Sequence, residues 1–120
     1  MAISVQNLLT QKSRKFGASE TSADWQQMVV DSINAVLDDL EAIVGVATTN
    51  VTTVNDSIQL DAQRFQPVIS MGTDFYLQDN SSYTIQSLQG VGSRYKDKLR
   101  NTQMSWQKTQ TLSPKLGSIT

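Results

Sequence analysis

The side chains best placed to do chemistry are three carboxylates close together, Asp38, Asp39 and Glu41, in a chain of 120 residues that has neither His nor Cys. Neighbouring carboxylates can share acid and base duties or hold a divalent ion, but both tasks require their oxygens to converge. On a helix these three point in different directions around Leu40, so the expected setting is a solvated or intersubunit face. The missing residue types exclude more. Without His there is no common general base near neutral pH, no nitrogen ligand for zinc and no imidazole for a Ser or Cys triad. Without Cys there is no thiolate nucleophile, disulfide or thiolate metal site. Only carboxylate or Lys chemistry remains, and the expectation is a non-enzymatic protein with no metal and no cofactor.

Two further groups carry a superficial motif. Asn55-Asp56 with Asp61 echoes a calcium loop, but the alternating ligands and the closing Glu are missing, and a plain turn is expected. Gly90-Val91-Gly92 resembles part of a phosphate-binding loop. It has no preceding strand and no Lys-Ser/Thr ending, so close packing of helices is the better explanation. Arg94, Lys96, Lys98 and Arg100 surround an apolar seam at Tyr95 and Leu99, with Lys108 and Lys115 following. They suit a solvated face, a protein contact or a run of phosphate contacts.

The net charge of −1 hides a separation along the chain. Residues 1–19 carry three basic groups and no acidic one, residues 20–89 carry ten acidic groups against Arg64, and residues 90–120 carry six basic groups against Asp97. Basic ends and an acidic middle suit nucleic acid at the ends, or subunits meeting head to tail. No export signal is expected, because Lys12, Arg14 and Lys15 follow the first apolar residues instead of preceding them. No apolar run approaches the roughly 18 residues that cross a membrane.

The elements that position these groups read as mainly α: a small helical bundle of two to three main helices with a short β-hairpin or extended loop and extended terminal arms. Residues 1–20 form an N-terminal arm, 21–108 the helical domain and 109–120 a mobile C-terminal tail. The arm carries Ile3, Val5, Leu8 and Leu9, compatible with a short amphipathic helix docked on this subunit or its neighbour. The first main helix runs from about Ala23 to Val44, with apolar residues from Trp25 to Val44 at three- and four-residue steps, Thr21 and Asp24 as a capping box, and Gly45 at its end. Residues 46–60, VATTNVTTVNDSIQL, favour extended backbone. Asp61 can cap a second helix, begun near Gln66 or bent at Pro67. A third, from Ser82 to Lys108, carries Ile85, Leu88, Gly92, Tyr95, Leu99, Thr102 and Trp106 on a seven-residue repeat. Trp25 and Trp106 are expected in the core.

This order of elements, with the runs DSINAVLDDLEAIV, FQPVISMGTDFYLQ and YTIQSLQGVGSRYKDKLRNTQMSW, resembles the head-to-tail connector (adaptor) proteins of tailed bacteriophages over residues 21–107. The resemblance implies a structural virion subunit at the head–tail junction, made in the host cytoplasm. It implies a homo-oligomeric ring, usually of twelve, with a portal protein above, a tail or nozzle protein below, and DNA passing the lumen without sequence-specific binding. Candidate interface residues are then Ile3, Val5, Leu8, Leu9, Lys12, Arg14 and Lys15 in the arm, and Val51, Val54 and Ile58 in the Val/Thr segment. Arg94, Lys96, Lys98, Arg100, Trp106 and Lys108 in the third helix and Leu112 and Leu116 in the tail complete the set. The alternative is a small helical nucleic-acid-binding module using the basic third helix.

Overall fold

The computed structural model describes the backbone of residues 2–80 and 90–118 and the side chains of residues 2–78 and 90–109. The chain is a mainly helical bundle with one small antiparallel sheet. In order come β1 (Ile3–Ser4), α1 (Val5–Phe16), α2 (Ala23–Asp39) running into a π-helical turn (Leu40–Val44), β2 (Ser57–Ile58), α3 (Ala62–Asn80) and α4 (Val91–Ser118).

Of the two docked forms open to the N-terminal segment, it takes the one against its own subunit. Ser4 caps α1 by accepting from the Asn7 amide at 3.2 Å, and Gly17, at φ 66°, ends it. Ile3, Val5, Leu8 and Leu9 are all buried in the subunit's own core. Each such burial is worth about 1.5–3 kcal/mol, which is what fixes the segment on the body. Phe16 meets Trp25 at 5.7 Å between ring centres, and the Trp25 indole donates to Ser13 Oγ at 2.8 Å.

The first main helix follows its apolar stripe, with its cap one residue from the expected place. Ser22, not Thr21, accepts from the Trp25 amide at 3.3 Å. The last turn widens so that the Gly45 amide donates to Leu40 O at 2.9 Å, and Gly45 leaves at φ 88°.

The Val/Thr segment takes the extended-loop form. Asn34 on α2 reaches across to it: its Nδ2 donates to Val51 O at 2.9 Å and its Oδ1 accepts from the Val51 amide at 2.8 Å. A side-chain amide thus holds both hydrogen-bonding groups of Val51, the place a hairpin partner strand would take. Thr48 Oγ1 adds a hydrogen bond to Leu37 O at 3.3 Å. The pairing strand is β1, with Ile3 opposite Ile58 and Ser4 opposite Ser57. The turn before β2 is tied by Asp56, whose Oδ2 accepts from the amides of Thr52 (2.7 Å) and Thr53 (3.1 Å). Those bonds hold the Asp56 carboxyl below its usual range.

Asp61 caps α3 by accepting from the Arg64 amide at 3.2 Å. The helix starts at Ala62 and continues through Pro67, where only one main-chain donor is lost. At its middle, Gly72 lies where three helices meet: a Cβ there would stand 2.6 Å from Val36 Cγ2 on α2 and 2.5 Å from Tyr95 Cε1 on α4. No side chain larger than hydrogen fits this crossing without movement.

The third main helix differs at both ends from its expected span. It begins at Val91, because Gly90 sits at φ 76°, outside helical geometry; the expected start at Ser82, with Ile85 and Leu88, lies outside the described residues. Gly92 falls in its first turn, where a Cβ would meet Phe75 Cε1 at 3.2 Å. The supposed tail is helical to Ser118, through Pro114. At 28 residues α4 is about 42 Å long. The molecule measures 55 × 30 × 20 Å.

Candidate interaction surface

Two buried polar clusters hold the helices in register. In the first, Lys12 of α1 is 3% exposed and its Nζ stands 2.8 Å from Asp74 Oδ1 on α3, while Lys15 Nζ stands 2.6 Å from Asp74 Oδ2. Lys12 also donates to Ser70 Oγ at 2.8 Å. Burial lowers the pKa of Lys12, and the Asp74 charge only partly offsets it. Lys12 and Lys15 are therefore committed to an internal contact, one that the sequence reading missed. Its signal, a single acid on α3 59 and 62 residues from its two partners, is shared with Asp79 on the same helix and has no local pattern.

In the second cluster Asp39 Oδ2 accepts from Tyr76 Oη at 2.6 Å and Tyr95 Oη at 2.8 Å. Burial, and then the hydrogen bond to Asp39, push the Tyr95 phenol far above its usual range. The Tyr76 and Tyr95 rings meet edge to face at 6.1 Å. Asp39 thus differs from its neighbours: Asp38 and Glu41 are exposed, whereas Asp39 is half-buried and ties α2 to α3 and α4. Among the described residues no group of three or more carboxylates is placed to hold a metal ion.

Of the other expected interface residues, Val51 and Ile58 are buried and Val54 half-buried against the same core. These, like the four apolar residues of the N-terminal segment, pack within the subunit: Val51 is held by Asn34 of α2, and Ile58 lies opposite Ile3 of β1. Trp106 is half-buried on Phe65, ring centres 5.6 Å apart, with the Arg64 guanidinium 5.6 Å from its own ring. Arg14, Arg94, Lys96, Arg100 and Lys108 are exposed and Lys98 half-buried. Leu112 and Leu116 lie on the α4 backbone, their side chains outside the described residues.

The surface that remains is sharply divided by sign. On α2, Asp24, Asp31 and Asp38 recur every seven residues and all three are exposed, as is Glu41 in the following turn; residues 20–63 contain no Lys or Arg. Seven residues are close to two helical turns, so the three carboxylates form one line along the middle of the solvent face. No family model, curated protein or solved structure matches the chain. On α4 the described charges are basic except Asp97, and the helix splits them. Arg94 faces a groove shared with Lys15 and Asp74, and Lys98 one shared with Asp61 and Arg64. Lys96 and Arg100 project to the other side of the buried Tyr95–Leu99 seam, because residues two apart differ by about 200° around a helix. Met104, between Arg100 and Lys108, is 64% exposed, the most exposed large apolar side chain among the described residues. The repeat at Asp24, Asp31 and Asp38 was visible in the sequence as a seven-residue acidic spacing.

Proposed function

We propose that the chain is a non-enzymatic assembly subunit, a head-to-tail connector that forms a ring between a portal and tail components and lets DNA pass. The observation that carries this reading is the division of exposed charge, acid along α2 and base along α4. Identical subunits bearing complementary faces on different helices can join head to tail and close a ring through one repeated contact. The sequence layout over residues 21–107 supports the same reading. So does a 28-residue α4, whose described side chains from Met104 onward are exposed or half-buried. Such a helix end is available to a neighbour. The portal and nozzle contacts fall to surface groups, Arg14 and the α4 end, rather than to Ile3, Val5, Leu8 and Leu9.

Nucleic-acid binding by Arg94, Lys96, Lys98, Arg100 and Lys108 is less well supported, since a phosphate track needs its cations on one side and these occupy two. Sedimentation of the full chain with portal particles, and separately with generic duplex DNA, distinguishes the readings. Co-sedimentation with the portal and indifference to DNA is the expected result. DNA binding that falls steeply with salt, with no portal binding, would overturn the connector reading in favour of the other.

A further inference from the structure

We infer that the lateral contact between copies is made by the exposed stripe Arg100–Met104–Lys108 of α4 in one subunit seated on the stripe Asp31–Ala35–Asp38 of α2 in the next. The inference rests on the self-assembly half of the connector reading and is independent of any portal.

The two stripes match in length, chemistry and shape. Asp31 and Asp38 are seven residues apart, about 10 Å along a helix, and Arg100 and Lys108 are eight apart, about 12 Å. Long basic side chains easily absorb that difference. Between the carboxylates lies Ala35, four residues from one and three from the other, so it shares their face. Between the cations lies Met104, four residues from each. A flexible thioether 64% exposed faces water at an energetic cost that a small-residue recess on a neighbour would relieve. Asp31, Asp38, Arg100 and Lys108 are exposed, and none is ion-paired within the chain among the described residues. Asp31 is already oriented by the Gln27 amide, which donates to it at 2.9 Å. Within a subunit, α3 contacts both α2 and α4, and the two stripes lie on outward faces of different helices. One copy therefore offers both halves of the contact at once, the condition for head-to-tail propagation. Asp97, the one acid of α4, is seven residues before Met104 and so lies on the same face, about one turn beyond the Arg100 end of the contact and not between its two cations.

The test uses the full chain and sedimentation velocity. Wild type is expected to self-associate in low salt and to dissociate as salt is raised. The double variant Asp31→Lys, Asp38→Lys and the double variant Arg100→Glu, Lys108→Glu should each associate at least about tenfold more weakly. An equimolar mixture of the two should recover assembly, since each then meets its complement on the other. All four positions are exposed, and circular dichroism verifies that the variants fold. Because the chain has no Cys, the double variant Ala35→Cys, Met104→Cys gives a direct second reading: oxidation should produce disulfide-linked multimers on a denaturing gel. A wild type that stays monomeric in low salt, reversed variants that assemble like wild type, or cysteines that do not cross-link would overturn the inference. Assembly that follows this pattern with no portal binding would sink the connector reading alone; portal binding by reversed variants that still assemble would sink this interface alone.

Discussion

Removing Asp74 and removing Lys12 should have very different consequences, although the two side chains form one ion pair. Lys12 is almost fully buried, with Asp74 Oδ1 at 2.8 Å as its only counter-charge among the described residues, whereas Asp74 has a second partner in the half-exposed Lys15 at 2.6 Å. Asp74→Ala therefore strands a buried ammonium, a change that costs about 3–5 kcal/mol. Lys12→Met leaves Asp74 paired with Lys15 and fills the same volume with an apolar chain, so its cost should be within about 1 kcal/mol of zero. The pH dependence separates this from simple loss of packing. The folded pKa of Lys12 lies below its ordinary 10.5, so between the two values the unfolded chain binds more protons and stability rises with pH. In Asp74→Ala both influences that raise the pKa are gone, the folded value falls further, and the window opens toward neutral pH. Urea denaturation from pH 6 to 10 should then show the variant recovering stability as pH increases, with Lys12→Met free of that gain. Equal costs for the two substitutions, or a deficit in Asp74→Ala that does not change with pH, would refute the reasoning.

Gly72→Ala should destabilise by at least about 1–3 kcal/mol in the same denaturation assay, because its Cβ would fall 2.5 Å from Tyr95 and 2.6 Å from Val36; an unchanged midpoint would contradict the three-helix crossing. Asn34→Ala should cost about 1–3 kcal/mol and speed hydrogen exchange at the Val51 amide, since a buried main-chain donor and acceptor lose their partner. Asp56 should titrate below the usual carboxylate range by NMR, and exchange at the Thr52 and Thr53 amides should accelerate only as pH falls through that lowered value. A folded pKa below the unfolded one makes its contribution present above the unfolded value and lost in acid. An ordinary titration would remove Asp56 from the account of the turn.

The parts of the fold legible in sequence were those set by neighbours in sequence. The apolar stripe from Trp25 to Val44, the Asp61 cap and the stop at Gly45 are local, and the structure has them within a residue. The Val/Thr segment was legible as extended backbone but not as to what it pairs with, because that depends on Asn34, 17 residues away, and on Ile3 and Ser4 at the chain start. Ile3, Val5, Leu8 and Leu9 were equally apolar whether docked inward or toward a neighbour; only the space beside α2 decides, and it is filled by them. Gly90 could be read as a packing glycine within a helix, yet its positive φ makes it the residue before one. Among the polar residues, Asp39 could not be told from Asp38 by composition. The difference is made by Tyr76 and Tyr95, 37 and 56 residues further along the chain.

The connector reading meets its most direct test in a count of copies. Native mass measurement of portal particles incubated with the full chain should show a discrete added mass equal to a fixed, closed number of subunits per portal. A portal that gains no mass, or gains it in an unbroken series without a preferred number, would contradict the assignment.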